Sequence, residues 1–118
     1  MEVEVENNYV AEFLDENRGI FTDSVVVCDT GNDFKINVNK IVLAAHSPFF
    51  KRLLGTMQEP ETKTEFYIPE VTKDGLKPII DWMYHKKIIL NDENILHVLK
   101  DADFLNITSI IKLCSNYF

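Results

Sequence analysis

The chain has 118 residues, enough for one domain with a working core and little room for a second, so neither a disulfide nor a metal is needed to fold it. With 46% apolar residues and a formal net charge of −7, its composition is that of a globular protein whose surface repels phosphate. Direct nucleic-acid binding and docking on anionic membranes are therefore disfavoured. No apolar run approaches the ~20 residues of a membrane span, and the acidic start does not resemble a secretory signal. Cys28 and Cys114 each sit inside an apolar run and read as buried, reduced thiols, which points to a cytoplasmic or nuclear protein.

Residues 1–8 alternate acidic and apolar side chains, a pattern compatible with a short terminal strand or a frayed end. Residues 9–18 predict a short helix with Tyr9, Val10, Phe13 and Leu14 on one face and Gly19 as a stop. Val25-Val26-Val27-Cys28 and the stretch around residues 34–36 predict a hairpin across the turn-rich Asp29-Thr30-Gly31-Asn32-Asp33. Lys40-Ile41-Val42-Leu43-Ala44-Ala45 is apolar nearly all round and predicts a central buried helix. Ser47 and Pro48 then cap and open a second helix, which carries Phe49, Phe50, Leu53 and Leu54 to Gly55. A polar loop over residues 56–64 precedes a strand at Glu65-Phe66-Tyr67-Ile68.

Beyond Pro69, Thr72 is a helix cap, and Leu76, Ile79, Ile80, Met83 and Tyr84 make the clearest helical stripe in the chain. Pro78 implies that this helix either starts late or has distorted first turns. Ile88-Ile89-Leu90 predicts a short strand, and Asn91 a cap for a helix burying Ile95, Leu96, Leu99, Ala102 and Phe104. A last helix shows Ile107, Ile110, Ile111, Cys114 and Tyr117. The order is α+β, a small sheet flanked by a helical cluster.

No catalytic arrangement emerges. His46, His85 and His97 stand at metal-ligand spacing from no other histidine or cysteine, and Ser47 lies in no nucleophile elbow. The four glycines do not cluster into a phosphate loop, and acids such as Glu59, Glu61, Asp92 and Glu93 sit in polar, solvated sequence. Neither enzyme activity nor a cofactor is expected, and an interaction module is. The aromatic-rich first helix is too short to stand alone, so its stripe must pack on its own domain or on a second copy.

Four stretches resemble a BTB/POZ domain. They are Phe21-Thr22-Asp23-Ser24-Val25, then Asn39-Lys40-Ile41-Val42-Leu43-Ala44-Ala45-His46-Ser47-Pro48-Phe49-Phe50, then Asp81-Trp82-Met83-Tyr84, and Asp101-Ala102-Asp103-Phe104-Leu105-Asn106-Ile107. The resemblance covers essentially the whole chain as one domain, and its central block is highly specific. Two departures stand out: Asn39 where the family usually has His, and Tyr84-His85-Lys86 where it often reads Tyr-Thr-Gly.

The resemblance implies the BTB/POZ fold and a homodimer built on the first helix, with Tyr9, Val10, Phe13 and Leu14 at the interface. It implies one of two jobs: binding the cullin-3 N-terminal region as a Kelch-like ubiquitin ligase adaptor, or dimerising a zinc-finger transcription factor and recruiting corepressors. Self-association alone is a third reading. Cullin-binding members carry a hydrophobic-x-Glu motif after the Ser-Pro helix, and Met57-Gln58-Glu59 stands there, with Tyr84 as a second bordering or core residue. Asp23 and Lys40 match the family's charged pair near the dimer interface. Val3 and Val5 could form a strand that pairs with residues 88–90 of a partner subunit.

Overall fold

The β-branched run Val25-Val26-Val27 forms the middle of β1 (Ser24–Cys28), the central strand of the sheet in a computed structural model that describes residues 9–17, 21–28, 34–55 and 64–118. β2 (Phe34–Val38) runs antiparallel beside it with Ile36 opposite Val26, which is the expected hairpin. On the other side β3 (Thr64–Tyr67) runs parallel to β1, with Phe66 opposite Val26. Side-chain alternation puts Val26, Cys28, Val38 and Phe66 in the core, while Lys35, Asn37, Glu65 and Tyr67 face solvent.

Among the described residues six helices complete the fold: α1 (Tyr9–Glu16), α2 (Lys40–His46), α3 (Pro48–Gly55), α4 (Lys73–His85), α5 (Ile95–Phe104) and α6 (Thr108–Tyr117). The stripe of α4 is fully sunk: Leu76, Ile79 and Ile80 have no exposed surface. α5 packs on it through Ile95, Val98 and Ala102, and α6 adds Ile110 and Cys114. Phe50 of α3 closes the core from the other end, its ring edge-on to Phe49 at 5.4 Å. Cys28 and Cys114 are both buried, and no disulfide joins them.

The caps act as the sequence suggests, and more tightly. Ser47 Oγ accepts from the Phe50 amide at 3.3 Å and donates to the Leu105 carbonyl at 2.7 Å, so the start of α3 is tied to the α5–α6 turn. Thr72 Oγ1 accepts from the Gly75 amide at 3.1 Å, and α4 begins directly after it. Behind this cap lies Asp101, a carboxylate with no exposed surface, whose Oδ2 accepts from both the amide and the hydroxyl of Thr72 at 2.9 Å. Burial pushes the Asp101 carboxyl above its usual range, and the Thr72 donors and Lys100 pull it back. Pro78 lies inside the helix; it gives no N–H to the carbonyl of Asp74, yet α4 runs on to His85.

Four expectations are corrected, the first being Leu96, which is 67% exposed and not part of the buried face of α5, where Val98 stands instead. Residues 88–90 form no strand: they pair with no strand among the described residues, and Ile89 is left 80% exposed. Asn91 caps a turn and not the helix itself: its Oδ1 accepts from the amides of Glu93 and Asn94 at 2.9 Å, and α5 starts at Ile95. α2 is not buried all round. Val42 and Leu43 face the core, but Ile41 is 73% exposed and Ala45 is exposed as well.

Candidate interaction surface

An eight-residue helix such as α1 holds only if one face packs. That face lies on α4, with Leu14 against the core and Asp15 paired to His85 at 3.1 Å. The other face carries Val10, 68% exposed, and Phe13, 50% exposed, whose ring lies 5.3 Å from that of Phe21. The stripe expected to be shared by one partner is therefore split. Val10 and Phe13 face outward and Leu14 packs inward, because the sequence period cannot say which neighbour takes which side. Tyr9 opens the helix; its side chain lies outside the described residues.

Phe21 and Ile41 were not singled out as site residues, and both add to the apolar surface. The Phe21 carbonyl accepts from Asn39 Nδ2 at 3.0 Å, which brings it beside the start of α2. Its place in the matched stretch before Asp23 was the available signal.

Asp23 and Lys40 do meet, but not as a buried ion pair. Asp23 is exposed, and its Oδ1 accepts from the backbone N–H of Lys40 at 2.8 Å. The carboxylate thus caps α2, favourably placed at the positive end of the helix dipole. A contact of this kind contributes on the order of 1 kcal/mol, not the 3–5 kcal/mol of a broken buried pair. It replaces a cap that Asn39 cannot supply, since the Asn39 side chain is occupied elsewhere.

That occupation places Tyr84 in the core. Tyr84 is 3% exposed; its hydroxyl donates to Asn39 Oδ1 at 2.7 Å and accepts from the Asn39 amide at 2.9 Å. Tyr84 is thus a core residue, and it also lines a neighbouring groove. Tyr84→Phe leaves a buried amide and a buried carbonyl oxygen unpaired, at a cost of about 1–3 kcal/mol. Urea unfolding is expected to show that loss with self-association unchanged; an unshifted midpoint would mean that this bond contributes nothing.

Two grooves flank these elements. The first, of about 790 Å³, lies between α1, α4 and the segment that follows α4, lined by Glu12, Lys77, Lys87, Ile88 and Ile89 among others. The second, of about 740 Å³, is lined by Ile41, Ala45, His46, Pro48, Trp82 and Ile107 among others. Met57 and Glu59, and likewise Val3 and Val5, lie outside the described residues. Among the described residues no cluster of His, Cys, Asp or Glu is placed to hold a metal, and no helix is long and apolar enough to cross a membrane.

Comparison with known proteins gives this surface its context. A family model described as the BTB/POZ domain matches residues 13–118. The chain belongs to the BTB/POZ family. It is 31% identical over 101 residues to Kelch repeat and BTB domain-containing protein A55 of vaccinia virus (strain Western Reserve), covering 86% of this chain and 17% of that protein. It is 32% identical over 101 residues to human zinc finger and BTB domain-containing protein 44, covering 86% of this chain and 17% of that one. The solved BTB domain of human gigaxonin superposes with a TM-score of 0.79 at 24% identity, covering 100% of this chain and 99% of the other. The chain spans about a fifth of the length of the curated relatives it matches. BTB/POZ domains are protein-interaction modules and not a catalytic family, and they generally self-associate.

Proposed function

We propose that residues 1–118 act as one BTB/POZ unit that homodimerises and binds the cullin-3 N-terminal region as the adaptor part of a ubiquitin ligase complex. The observation that carries this reading is positional: Met57-Gln58-Glu59 follows α3, which ends at Gly55, in a chain whose relatives include Kelch-repeat BTB proteins. A flexible methionine suits an apolar groove on a helical partner, and the glutamate can meet a basic or donor group beside it. Outward Val10 and Phe13 support the dimer, because a two-fold interface needs only one self-complementary patch.

The second reading, a dimerisation and corepressor-recruiting domain of a zinc-finger transcription factor, is favoured by the zinc-finger BTB relative and by the apolar groove beside His46 and Trp82.

Titration with the cullin-3 N-terminal region separates the two. Met57→Ala with Glu59→Ala is expected to weaken binding tenfold or more, about 1.4 kcal/mol, with dimer and melting temperature unchanged. No binding by the unaltered domain at tens of micromolar would end the adaptor reading and leave the corepressor one.

A further inference from the structure

Lys86 closes α4 in the left-handed conformation, with φ 62° and ψ 24°, and its amide donates to the Trp82 carbonyl at 2.7 Å. A lysine there costs about 1–2 kcal/mol of backbone strain that glycine would avoid. Its side chain offsets this through two contacts. The ammonium lies over the Trp82 ring, 4.5 Å from the centroid, and its Nζ meets His46 Nε2. The His46 ring stands edge-on to Trp82 at 5.5 Å and 77°.

The remaining imidazole nitrogen decides the chemistry. His46 Nδ1 lies 2.8 Å from the carbonyl of Val42, an acceptor, so Nδ1 carries the proton. Nε2 then presents a lone pair to the Lys86 ammonium. Adding a proton to Nε2 turns that acceptor into a donor facing a donor and sets two positive charges in contact.

We propose that His46 is a proton-sensitive latch: its neutral imidazole holds the Lys86 ammonium on Trp82, and its protonation releases Lys86. Lys86 begins the segment after α4, residues 86–89, that rims the larger groove, so release uncouples that rim from α2. The surroundings reinforce the polarity of the device. From α4 His46 faces Lys86 and the Trp82 ring, and from α3 Lys51 lines the same groove. α6 brings only Thr108 and Ser109, and among the described residues no carboxylate lines that groove to steady an imidazolium. His85 is turned to Asp15, and Asp81 to Lys77. Burial, and after it the Lys86 charge, hold His46 below its ordinary value, while the Val42 carbonyl opposes them. A folded-state value depressed below the unfolded one means that the unfolded chain takes the proton first as pH falls. Stability contributed here is thus present at neutral pH and lost as pH drops through about 6.5 toward the folded value.

The test uses the emission of Trp82, the chain's single tryptophan, which a nearby imidazolium quenches. The unaltered protein is expected to lose emission with a midpoint below about 6.5. Lys86→Met should move that midpoint upward, and His46→Gln should abolish the transition. Nitrogen NMR of the unaltered protein should find the proton on Nδ1 at pH 8. An unchanged midpoint in Lys86→Met, a transition that persists in His46→Gln, or a proton on Nε2 would overturn the latch. The tautomer measurement needs no variant, so it decides even if a variant fails to fold.

Discussion

Gly75→Ala is expected to be the most damaging conservative change in the chain. An added Cβ would stand 2.1 Å from Asp101 Oδ2 and 2.5 Å from the His97 carbonyl, so α4 and α5 could no longer approach as they do. The His97 carbonyl is backbone and cannot swing aside. The carboxylate could move only by abandoning the amide and hydroxyl of Thr72, which leaves the capping residue of α4 without its support and two donors unpaired. Overpacking costs about 1–3 kcal/mol and a lost bond to a charged group about 1.5–3 kcal/mol. A total of about 3 kcal/mol or more is a large share of the roughly 5–15 kcal/mol that a domain possesses. Urea unfolding should show a sharply lowered midpoint or no cooperative transition. A shift under about 0.5 kcal/mol would mean that the two helices can separate freely and that this packing argument is wrong.

Val10→Asp combined with Phe13→Asp is expected to convert a dimer into a folded monomer. Both side chains are outward in the single chain, so charging them removes nothing from its core. In a two-fold interface each residue counts twice, and a buried apolar side chain is worth about 1.5–3 kcal/mol. Losing even two such contributions weakens association by more than about a hundredfold. Sedimentation at micromolar concentration reads this directly, with a melting curve to confirm that the variant folds. If residues 1–8 add a strand to residues 88–90 of the partner subunit, deleting them should weaken the dimer further. A monomeric parent protein, or a double variant as dimeric as the parent, would remove the interface from this face. Leu14 is unsuited to the test, since it packs against the core and its loss would confound folding with assembly.

What could be read from sequence follows from the range of each interaction. The α4 stripe, the hairpin and the Ser47 and Thr72 caps are local patterns, set by residues a few positions apart, and the structure has them. The fate of Tyr84 was not readable from its stripe, because an aromatic at a helical period can face core or rim, and its partner Asn39 lies far away in the chain. The letters of Asp23 and Lys40 suggest two opposite charges meeting. The contact instead uses the backbone amide of Lys40, which no side-chain letter announces. The apolar run at residues 88–90 suits a strand, yet a strand also needs a neighbour, and none of the described residues provides one. Lys86 did leave a trace: the departure from Tyr-Thr-Gly puts a lysine at the left-handed cap.

β1 pairs Val26 with Ile36 on one side and with Phe66 on the other, and the two contacts differ greatly in the length of chain they enclose. The hairpin closes a short loop. The parallel pairing must wait for the chain to travel through α2 and α3 and return. Closure entropy rises with the logarithm of loop length and is spent before the contact returns anything. The sheet is thus expected to assemble in two instalments, hairpin first and β3 later, with the non-local pairing the slower of the two.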